Sequence, residues 1–555
     1  MNRISERVNI AACLGLALII LLPIGRAEGA SENASKLLDL ARKKFGTLTE
    51  AEVKLFRKVV NGEIADCSDE SEKNNDPNGA EKWGYERVIR ANQIWWLCTD
   101  PQASSMVTYW GIAVQGARID GVLNLRLATI SFPLSFWRCA FPRGINLGYV
   151  EISALDLSGT HTGPIYGDGV NIEGNVFLRN GFKAEGEVNL LCATIGRNLE
   201  CDGSQFINKG ARALNADGLK VEGDVFLRND FKAEGEVRLV GATIGGVLDC
   251  EKGMFIKPTG YALLADDLNI KGSAYLHNGF QADGVVSLGG ATIDRSFAWT
   301  DVNSPEKATL DLRSATVGTL WDDQDSWPDE GRLLLHGLVY KEIDDDAPRD
   351  AESRIDWLRR QPGFRPQPYE QLAAVLRKSG QDDDAKKILI AKNEDRARLT
   401  KLTWSEKWWY RVLGPMIGYG YRPLNALWGV VAFVALGWIL FGIGYWGGLV
   451  TPQNESAYVE RSVSTVGGTE VRELSDVYPR FNFLVYSFDV FVPLIDLHQA
   501  KYWLPNASRG PALLSIKGFA LHTGGLLRLY LWVHITMGWA ITMLLVAGLT
   551  GLIRT

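Results

Sequence analysis

The sequence predicts a mainly β protein: a single-stranded β-solenoid (β-helix) with a small N-terminal helical cap, a helical hairpin after it and a C-terminal membrane domain of two transmembrane helices. Three observations predict this class. They are a repeat at fixed spacing, a two-residue apolar alternation inside the repeat, and two long apolar segments in the last third of the chain. An architecture of stacked β units is more typical of a scaffold or a binding surface than of an active site.

The repeat has a period of 49 residues. Residues 171–174 (NIEG) recur at 220–223 (KVEG) and at 269–272 (NIKG). A period of this length without a helical apolar pattern indicates stacked β supersecondary units. We therefore expect Phe177, Phe226 and Tyr275, which are equivalent in the three copies, to stack in one column at equal steps along the axis.

Inside the repeat, apolar residues come in pairs two positions apart, such as Val176 with Leu178. This alternation places both side chains of a pair on one face of a short strand. We interpret each repeat as about two coils of a β-solenoid over residues 112–340, with roughly nine coils stacked about 4.8 Å apart. A flat β-sandwich is the alternative, but it gives no reason for side chains to repeat at fixed spacing.

Length and composition limit the remaining possibilities. The chain has 555 residues, too many for one hydrophobic core, and a formal net charge of −6. This acidic balance does not provide the basic surface of a nucleic-acid-binding protein, so no nucleic acid is expected as a partner. The six His and seven Cys show no metal-ligand spacing. We expect no catalytic, cofactor-binding or metal-ligating residues and no cofactor.

The N-terminus is typical of an exported protein. Residues 1–27 predict a signal peptide, because two arginines precede an apolar run that ends in small residues. An uncleaved anchor is the alternative. Residues 28–111 follow as the helical cap region. They contain a capping-box pattern at Thr49 and Glu52 and a second predicted helix over about 86–97.

Cys67 and Cys98 flank a polar loop and the second predicted helix of this region. In an oxidising compartment these two residues form a candidate disulfide, which would close a loop of about 30 residues and contribute about 3 kcal/mol. Two buried thiols are the alternative.

Charged residues also recur in register on the predicted outer surface. Glu185, Glu234 and Asp283 are equivalent in the three repeats, and Arg179 is equivalent to Arg228. We treat these five residues as candidate surface rungs for a partner. The alternative is that such rungs only keep the coil soluble.

Residues 341–410 predict a helical hairpin after the solenoid. Tyr369, Leu372, Ala373 and Leu376 follow the i, i+3, i+4, i+7 spacing of an amphipathic helix, and Gly380 separates it from the next helical pattern. We expect this hairpin to cover the open end of the solenoid. Binding of a partner peptide is the alternative.

Residues 411–555 predict a membrane domain. Spans are expected at about 424–446 and 529–553, both long enough to cross a bilayer. Between them, residues 481–497 form a shorter apolar segment that we interpret as re-entrant or interfacial. Its candidate functional residues are Tyr486, Ser487, Asp489 and Asp496.

Two signals disagree about which side of the membrane carries the solenoid. The signal peptide predicts export, whereas basic residues before the first span favour the cytoplasmic side. Because large domains translocate largely regardless of charge, we expect the solenoid to be extracytoplasmic.

Five short motifs resemble a bacterial family of pentapeptide-repeat-like solenoid proteins with a two-helix membrane tail. The motifs are residues 95–100 (WWLCTD), 111–121 (GIAVQGARIDG), 366–373 (PQPYEQLA), 418–423 (GYGYRP) and 486–489 (YSFD), together with the ATI triplets of the repeat. The resemblance covers nearly the whole mature chain, and it implies a location in the inner membrane of a bacterium with the solenoid periplasmic or otherwise extracytoplasmic. Members of this family are often labelled "membrane-associated oxidoreductase", which implies a redox activity. The sequence, however, contains no Gly-x-Gly-x-x-Gly placed between a strand and a helix and no Cys-x-x-Cys.

Three functions follow from these observations. We expect a non-enzymatic, membrane-tethered scaffold or binding protein of the bacterial cell envelope, whose partners are the bilayer and an unknown protein or envelope polymer. The first alternative is a polysaccharide-active or redox enzyme. A groove lined by unlike carboxylates would favour the polysaccharide-active enzyme, whereas an even acidic stripe would favour the scaffold. The second alternative is a channel or a transport-accessory protein.

Overall fold

The computed structural model describes residues 25–454, 457–466, 469–516 and 519–552. Most of the predicted signal peptide, residues 1–24, lies outside the described residues. The chain divides into two compact units, Met1–Ser379 and Gly380–Thr555. The first unit contains a parallel β-solenoid of about ten turns, which confirms the predicted solenoid and adds about one coil to it.

The first unit begins with helices that lie against the first strands. They are α1 (Gly25–Phe45), α2 (Glu50–Val59), α3 (Ala91–Thr99) and α4 (Pro101–Ser104). The predicted capping box is present, because Thr49 accepts from the Glu52 amide at 3.0 Å and the Glu52 carboxylate accepts from the Thr49 amide at 2.9 Å. Glu52 is also buried against Arg90, with Nε 2.7 Å from the carboxylate.

The second helix starts later than predicted. Residues 88–90 form a strand that pairs with Arg118–Asp120, and α3 begins only at Ala91. Ala65–Asp66 likewise pairs with Ile112–Gln115. The solenoid sheets therefore begin before residue 112, because the N-terminal region contributes two strands that a helical pattern did not indicate.

Each coil of the solenoid has four short sides, which we number one to four in chain order. Each side stacks in parallel on the same side of the next coil. Strands of side one only are Ala65–Asp66, Ile112–Gln115, Leu134–Trp137, Leu155–Asp156, Val176–Phe177, Leu199–Glu200, Val225–Phe226, Leu248–Asp249 and Ala274–Leu276. Strands of side two only are Val88–Arg90, Arg118–Asp120, Ala140–Phe141, His161–Thr162 and Lys183–Glu185.

Strands of side three only are Leu123–Asn124, Ile145–Asn146, Ile165–Tyr166, Val188–Asn189, Ala308–Asp311 and Leu333–Leu334. Strands of side four only are Thr129–Ile130, Glu151–Ile152, Asn171–Ile172, Thr194–Ile195, Lys220–Val221, Thr243–Ile244 and Asn269–Ile270. Longer strands cover sides two and three at Gln205–Asn215, Lys232–Arg238, Met254–Leu264 and Gln281–Ser287. Others cover sides four and one at Thr292–Trp299, Thr316–Asp322 and Val339–Ile343.

The 49-residue period corresponds to two coils, as predicted, and the two coils are unequal in length. Equivalent strands of side one start at Val176, Leu199, Val225 and Leu248, so a coil of 23 residues is followed by one of 26. The longer coils contain the 11-residue strands Gln205–Asn215 and Met254–Leu264. Their extra residues form exposed bulges, where the pairing register shifts.

An aromatic stack in the core explains why the repeat needs two coils. Phe206 is paired between Ala184 and Ala233, so a large side chain alternates with a small one along the same column. In coils with alanine at this position, the ring of the stack belongs to the residue two positions earlier. Phe182 stands in this way before Ala184, and Phe231 before Ala233. Ring centroids in this fully buried stack are 5.3–5.7 Å apart through Phe182, Phe206, Phe231, Phe255 and Phe280. Large and small residues thus interdigitate as dense packing requires.

Gly235 is required where a long coil approaches its neighbour. Its φ is +144°, and a Cβ atom there would lie 2.6 Å from the carbonyl oxygen of Asn208. Gly284, one repeat later, has φ +131° and would place a Cβ 2.3 Å from the Lys257 carbonyl oxygen.

Substitution of Gly235 by alanine should destabilise the solenoid by about 2–4 kcal/mol, since it combines an unfavourable φ with a backbone clash. Gly210→Ala is the matched control. Gly210 has φ +80°, but a Cβ atom there would meet nothing within 4 Å, so we expect a loss of about 1 kcal/mol. Thermal or denaturant unfolding monitored by circular dichroism measures both. Equal losses for the two variants would contradict the close approach at Gly235.

Helices α5 (Ala351–Arg359) and α6 (Pro366–Lys378) follow the last coil. Gln367 accepts from the Gly337 amide at 2.8 Å and donates to the Leu338 carbonyl at 2.9 Å. Gln371 donates to the Tyr340 carbonyl at 2.7 Å. These side-chain amides satisfy backbone groups of the last coil, which would otherwise be an open edge. Residues 366–373, one of the family-like motifs, therefore have a structural role here.

The second unit contains the remaining helices, α7 (Asp382–Leu399), α8 (Trp404–Ile417), α9 (Ala426–Trp446), α10 (Phe483–Phe491), α11 (Gln499–Tyr502) and α12 (Thr523–Leu549). The two helices predicted for the hairpin are present as α6 and α7 and belong to different units, so their pairing stays a prediction. Three antiparallel strand pairs are Val450–Pro452 with Trp503–Pro505, Tyr458–Val466 with Thr469–Leu474, and Ala512–Ile516 with Phe519–His522. Short 3-10 helices occur at Glu72–Asn75, Pro77–Lys82, Tyr85–Arg87, Pro305–Lys307, Gly418–Gly420 and Pro423–Asn425.

Two helices of this unit are long and apolar enough to cross a membrane, Pro423–Trp446 and Thr523–Leu549. The first agrees with the predicted span at 424–446. The second begins and ends earlier than the predicted 529–553, because its helical hydrogen bonding starts at Thr523 and includes Arg528. The apolar segment predicted over 481–497 is helical only at Phe483–Phe491.

Candidate functional site

The candidate surface rungs lie on the outer surface in the predicted register. Glu185 pairs with Ile207, Ile207 with Glu234, Glu234 with Ile256, and Ile256 with Asp283. The acidic residues therefore occupy alternate coils of one column on side two. Lysines beside them lower the pKa of two of these carboxylates, Lys183 at Glu185 and Lys232 with Lys209 at Glu234. The acidic residues thus form an evenly spaced stripe, and neighbouring lysines of the solenoid partly neutralise its charge.

Phe177, Phe226 and Tyr275 share one column of side one, where Glu200 and Asp249 separate them. The predicted column is confirmed. Because the rings occupy alternate coils, they are about 10 Å apart and do not stack directly on one another.

The arginine rungs cover two of these rings. The Arg179 guanidinium lies 4.1 Å from the Phe177 ring centroid and pairs with Glu200 on the next coil. Arg228 lies 4.0 Å from the Phe226 ring centroid and contacts Asp202 and Asp249 on the two adjacent coils, each at 2.8 Å. Such cation–π and ionic contacts join one coil to the next. Both arginines are thus engaged within the solenoid itself.

A cleft of about 600 Å³ lies at the C-terminal end of the same side. Trp321, which continues the column of Phe177, Phe226 and Tyr275, lines it together with polar side chains. The polar residues of the cleft are Asn278, Thr300, Asp301, Asn303, Asp322, Asp323, Asp325, Ser326 and Asp346.

The buried carboxylate of this cleft, Asp322, and the half-buried Asp323 are already hydrogen-bonded. Asp322 accepts from Arg354 at 2.7 and 2.9 Å and from the Trp327 indole at 2.8 Å. Asp323 accepts from the Asp301 amide and from Ser326. The other cleft carboxylates are exposed and resemble one another. Acid–base catalysis needs carboxylates in different environments, and this cleft does not provide a free, buried one.

Cys67 and Cys98, the candidate disulfide, are both buried and are free thiols in this structure, which is the alternative that the sequence left open. Cys67 lies at the edge of the first coil, where its amide donates to the Gln115 carbonyl at 2.8 Å. Cys98 is in α3 among apolar residues. Burial raises the pKa of Cys67 to about 11 and that of Cys98 to about 12. Both thiols are therefore protonated and unreactive near neutral pH.

In the second unit, α10 packs against α9 and α12 through polar groups. The Ser487 hydroxyl donates to the Val434 carbonyl at 2.8 Å. His534 Nε2 lies 3.2 Å from the Ser487 carbonyl oxygen, and its Nδ1 lies 3.1 Å from the Tyr530 hydroxyl. With the proton on Nε2, one tautomer satisfies the whole set, since Tyr530 then donates to Nδ1.

Glycines allow this close packing. A Cβ atom at Gly437 of α9 would lie 2.2 Å from the Ser487 hydroxyl, and one at Gly538 of α12 would lie 1.8 Å from the Phe491 carbonyl oxygen. Small residues at such positions let helices approach closely in a membrane. The arrangement joins α9, α10 and α12 in one unit.

The two acidic residues predicted for this segment hold the chain after α10. Asp489 accepts from the Leu497 and Ala500 amides, the latter at 2.8 Å. Asp496 accepts from Lys501 and from His498, both at 2.6 Å. The structure therefore brings Tyr486 and Ser487 into the helix bundle, whereas Asp489 and Asp496 order the adjoining loop.

Sequence reasoning missed the residues that complete these sites. The sequence analysis did not predict the roles of Tyr530 and Gly437 or the hydrogen bonds of His534. A histidine inside an apolar span marks a candidate functional position, so His534 is the sequence signal that points to this cluster. For Arg354, which fixes Asp322, the sequence pattern indicates only a helix. Among the described residues, no group of three or more His, Cys, Asp or Glu side chains is placed to hold a metal ion.

The class that the fold defines is a parallel β-solenoid of about ten turns. Comparisons of the chain with protein-family models, with curated proteins and with solved structures give no significant match.

Proposed function

We propose that the protein is a membrane-tethered β-solenoid scaffold or binding protein of the bacterial cell envelope. The observation that carries the proposal is the combination, in one chain, of a ten-turn solenoid and two apolar helices of 24 and 27 residues. The N-terminal helices and the Gln367–Gln371 contacts act as caps that keep the two ends of the solenoid from pairing with other strands.

The exposure of the apolar helices supports the tether. Only 28% and 22% of the residues in their most apolar 18-residue windows are buried, whereas the core helix of a soluble protein is mostly buried. Trp428 and Trp446 near the two ends of α9 are each 77% exposed. They are about 27 Å apart along the helix, close to the thickness of a bilayer core, and tryptophan is enriched at both membrane interfaces.

The outer surface of the solenoid supports a scaffold over an enzyme. Its acidic rungs form an even stripe, and its arginines pair between coils. The cleft at Trp321 offers an aromatic ring and polar side chains to an envelope polymer or a protein partner. A polysaccharide-active enzyme is a second candidate because of this cleft. It ranks lower, since the buried Asp322 and the half-buried Asp323 are already hydrogen-bonded.

The exposed thiol of Cys192 tests where the solenoid resides. In intact cells with a permeabilised outer membrane, a membrane-impermeant maleimide should label the full-length protein at this residue, and Cys192→Ser should abolish the labelling. Labelling only after lysis of the inner membrane would place the solenoid in the cytoplasm and overturn its extracytoplasmic location.

Affinity purification of the full-length protein from membranes, with mass spectrometry of bound proteins and analysis of bound glycans, tests the scaffold itself. We expect a reproducible partner whose recovery falls with Trp321→Ala and is unchanged with Glu234→Gln. Turnover of a bound substrate, or a reproducible redox partner, would overturn the scaffold in favour of the enzyme.

A further inference from the structure

We propose that α8 lies on the membrane surface and binds the headgroup layer of an anionic phospholipid leaflet through an exposed face of two tryptophans and two cations. This inference rests on the proposed membrane tether. The face consists of Trp404, Lys407, Trp408 and Arg411, which we call the α8 face. Their i, i+3, i+4 and i+7 spacing places all four on one side of the helix.

The α8 face is not buried by any other part of the described chain. Trp404 is 82% exposed, Trp408 is 57% exposed, and Lys407 and Arg411 are exposed as well. Large aromatic side chains of this kind in a contiguous patch mark a surface that meets a partner or a membrane.

The side of α8 next to this face packs against the protein. The Tyr410 ring lies 5.7 Å from the Tyr419 ring, and the Arg396 guanidinium lies 5.9 Å from Tyr410. A Cβ at Gly414 would lie 2.9 Å from the Tyr419 hydroxyl, so the helix sits tightly on the segment that follows it. These contacts fix α8 along one flank and leave the α8 face exposed.

The charge on this face suits an anionic surface. Glu406 is the acidic residue of α8, and its carboxylate accepts from the Thr403 amide and hydroxyl, each at 2.8 Å, at the start of the helix. Lys407 and Arg411 remain on the exposed side. Each such cation near an anionic leaflet strengthens association by about fivefold, and tryptophan favours the interfacial layer.

The position of α8 in the chain favours a membrane over a protein as the partner of this face. The first apolar helix begins at Pro423, six residues after α8 ends at Ile417. Trp428, at the start of that helix, is 77% exposed and marks the level of the interface. A helix joined so closely to a span, with tryptophans and cations on its free side, has the composition of an interfacial helix.

Hydrogen exchange of the full-length protein in nanodiscs tests this inference. The two preparations contain phosphatidylcholine alone or phosphatidylcholine with about 30% phosphatidylglycerol, and the peptide covering residues 404–411 is followed by mass spectrometry. We expect exchange at least about fivefold slower in the anionic discs at low salt, with the difference lost at about 0.5 M salt because salt screens the attraction.

Variants separate the contributions. Lys407→Gln with Arg411→Gln should remove the dependence on lipid charge. Lys386→Gln with Lys387→Gln is the matched control, since these cations pair with Asp383 and Asp384 on α7, and it should leave that dependence intact. Trp404→Ala with Trp408→Ala should speed exchange in both lipids.

Three results would overturn the inference. These are equal exchange of the peptide in both lipids, protection that depends on protein concentration instead of lipid charge, and an effect of the Lys386 and Lys387 control equal to that of the α8 variant. Failure of the tether itself is distinguishable, because the amides of α9 and α12 would then exchange rapidly in both kinds of disc.

Discussion

Replacement of Leu227 by aspartate is expected to unfold the central coils of the solenoid. Leu227 is fully buried, and its amide donates to the Asp249 carbonyl on the next coil. It lies in the inward column between Cys201 and Cys250, which are fully buried as well. A carboxylate between these buried side chains would be desolvated, and the substitution would also remove a packed leucine. Together these effects amount to about 5 kcal/mol or more, comparable with the stability of a whole domain.

The matched control is Glu234→Gln, less than one turn of the solenoid away. The Glu234 side chain is at the surface and contacts Lys209 and Lys232, so the substitution should change stability by less than about 1 kcal/mol. Both variants are compared by thermal unfolding of the full-length protein and by resistance of the solenoid to limited proteolysis. If Leu227→Asp melts within a few degrees of the natural protein, residue 227 does not lie in the core.

The repeat could be predicted from the sequence because each coil obeys the same local rules. Alternation at Val176 and Leu178 and turn residues between strands specify short stacked strands. The recurrence of Phe177 at Phe226 and Tyr275 specifies the register, and the structure has them in one column.

What alternates between coils was harder to predict. The large–small pairing of Phe206 with Ala184 and Ala233 depends on side chains from three coils that are far apart in sequence. The periodicity indicates that the two coils differ. The reason for the difference becomes visible only in the folded protein, where the side chains of neighbouring coils pack on one another.

The ends of the solenoid and the second unit depend on contacts that no local pattern contains. Gln367 bonds to backbone groups about 30 residues earlier, and Ser487 meets His534 across 47 residues. The roles of these polar residues therefore emerge only from the fold. The three antiparallel strand pairs between α9 and α12 were missed for a related reason, since the sequence pattern there indicates a loop around one apolar segment.

Arg354 is expected to be the side chain on which the C-terminal end of the solenoid depends most. It is completely buried and contacts both carboxylate oxygens of Asp322, at 2.7 and 2.9 Å. It also donates to the Pro348 carbonyl at 2.6 Å, so one guanidinium connects α5, the preceding linker and the strand that lines the cleft. Arg354→Met would leave Asp322 charged and buried, with the Trp327 indole as its remaining donor among the described residues.

Loss of one partner from a buried ion pair costs about 3–5 kcal/mol, because the remaining charge is desolvated without compensation. We therefore expect Arg354→Met to lower the stability of the first unit by this amount in denaturant unfolding. Lys271→Met, which breaks the exposed pair of Lys271 with Asp294 at 3.6 Å, should cost less than about 1 kcal/mol. Adding Asp322→Asn to Arg354→Met should recover part of the loss, since it removes the unpaired charge while an amide oxygen can still accept from Trp327. If the double variant is no more stable than Arg354→Met, the cost arises from lost packing of the arginine and not from the stranded carboxylate.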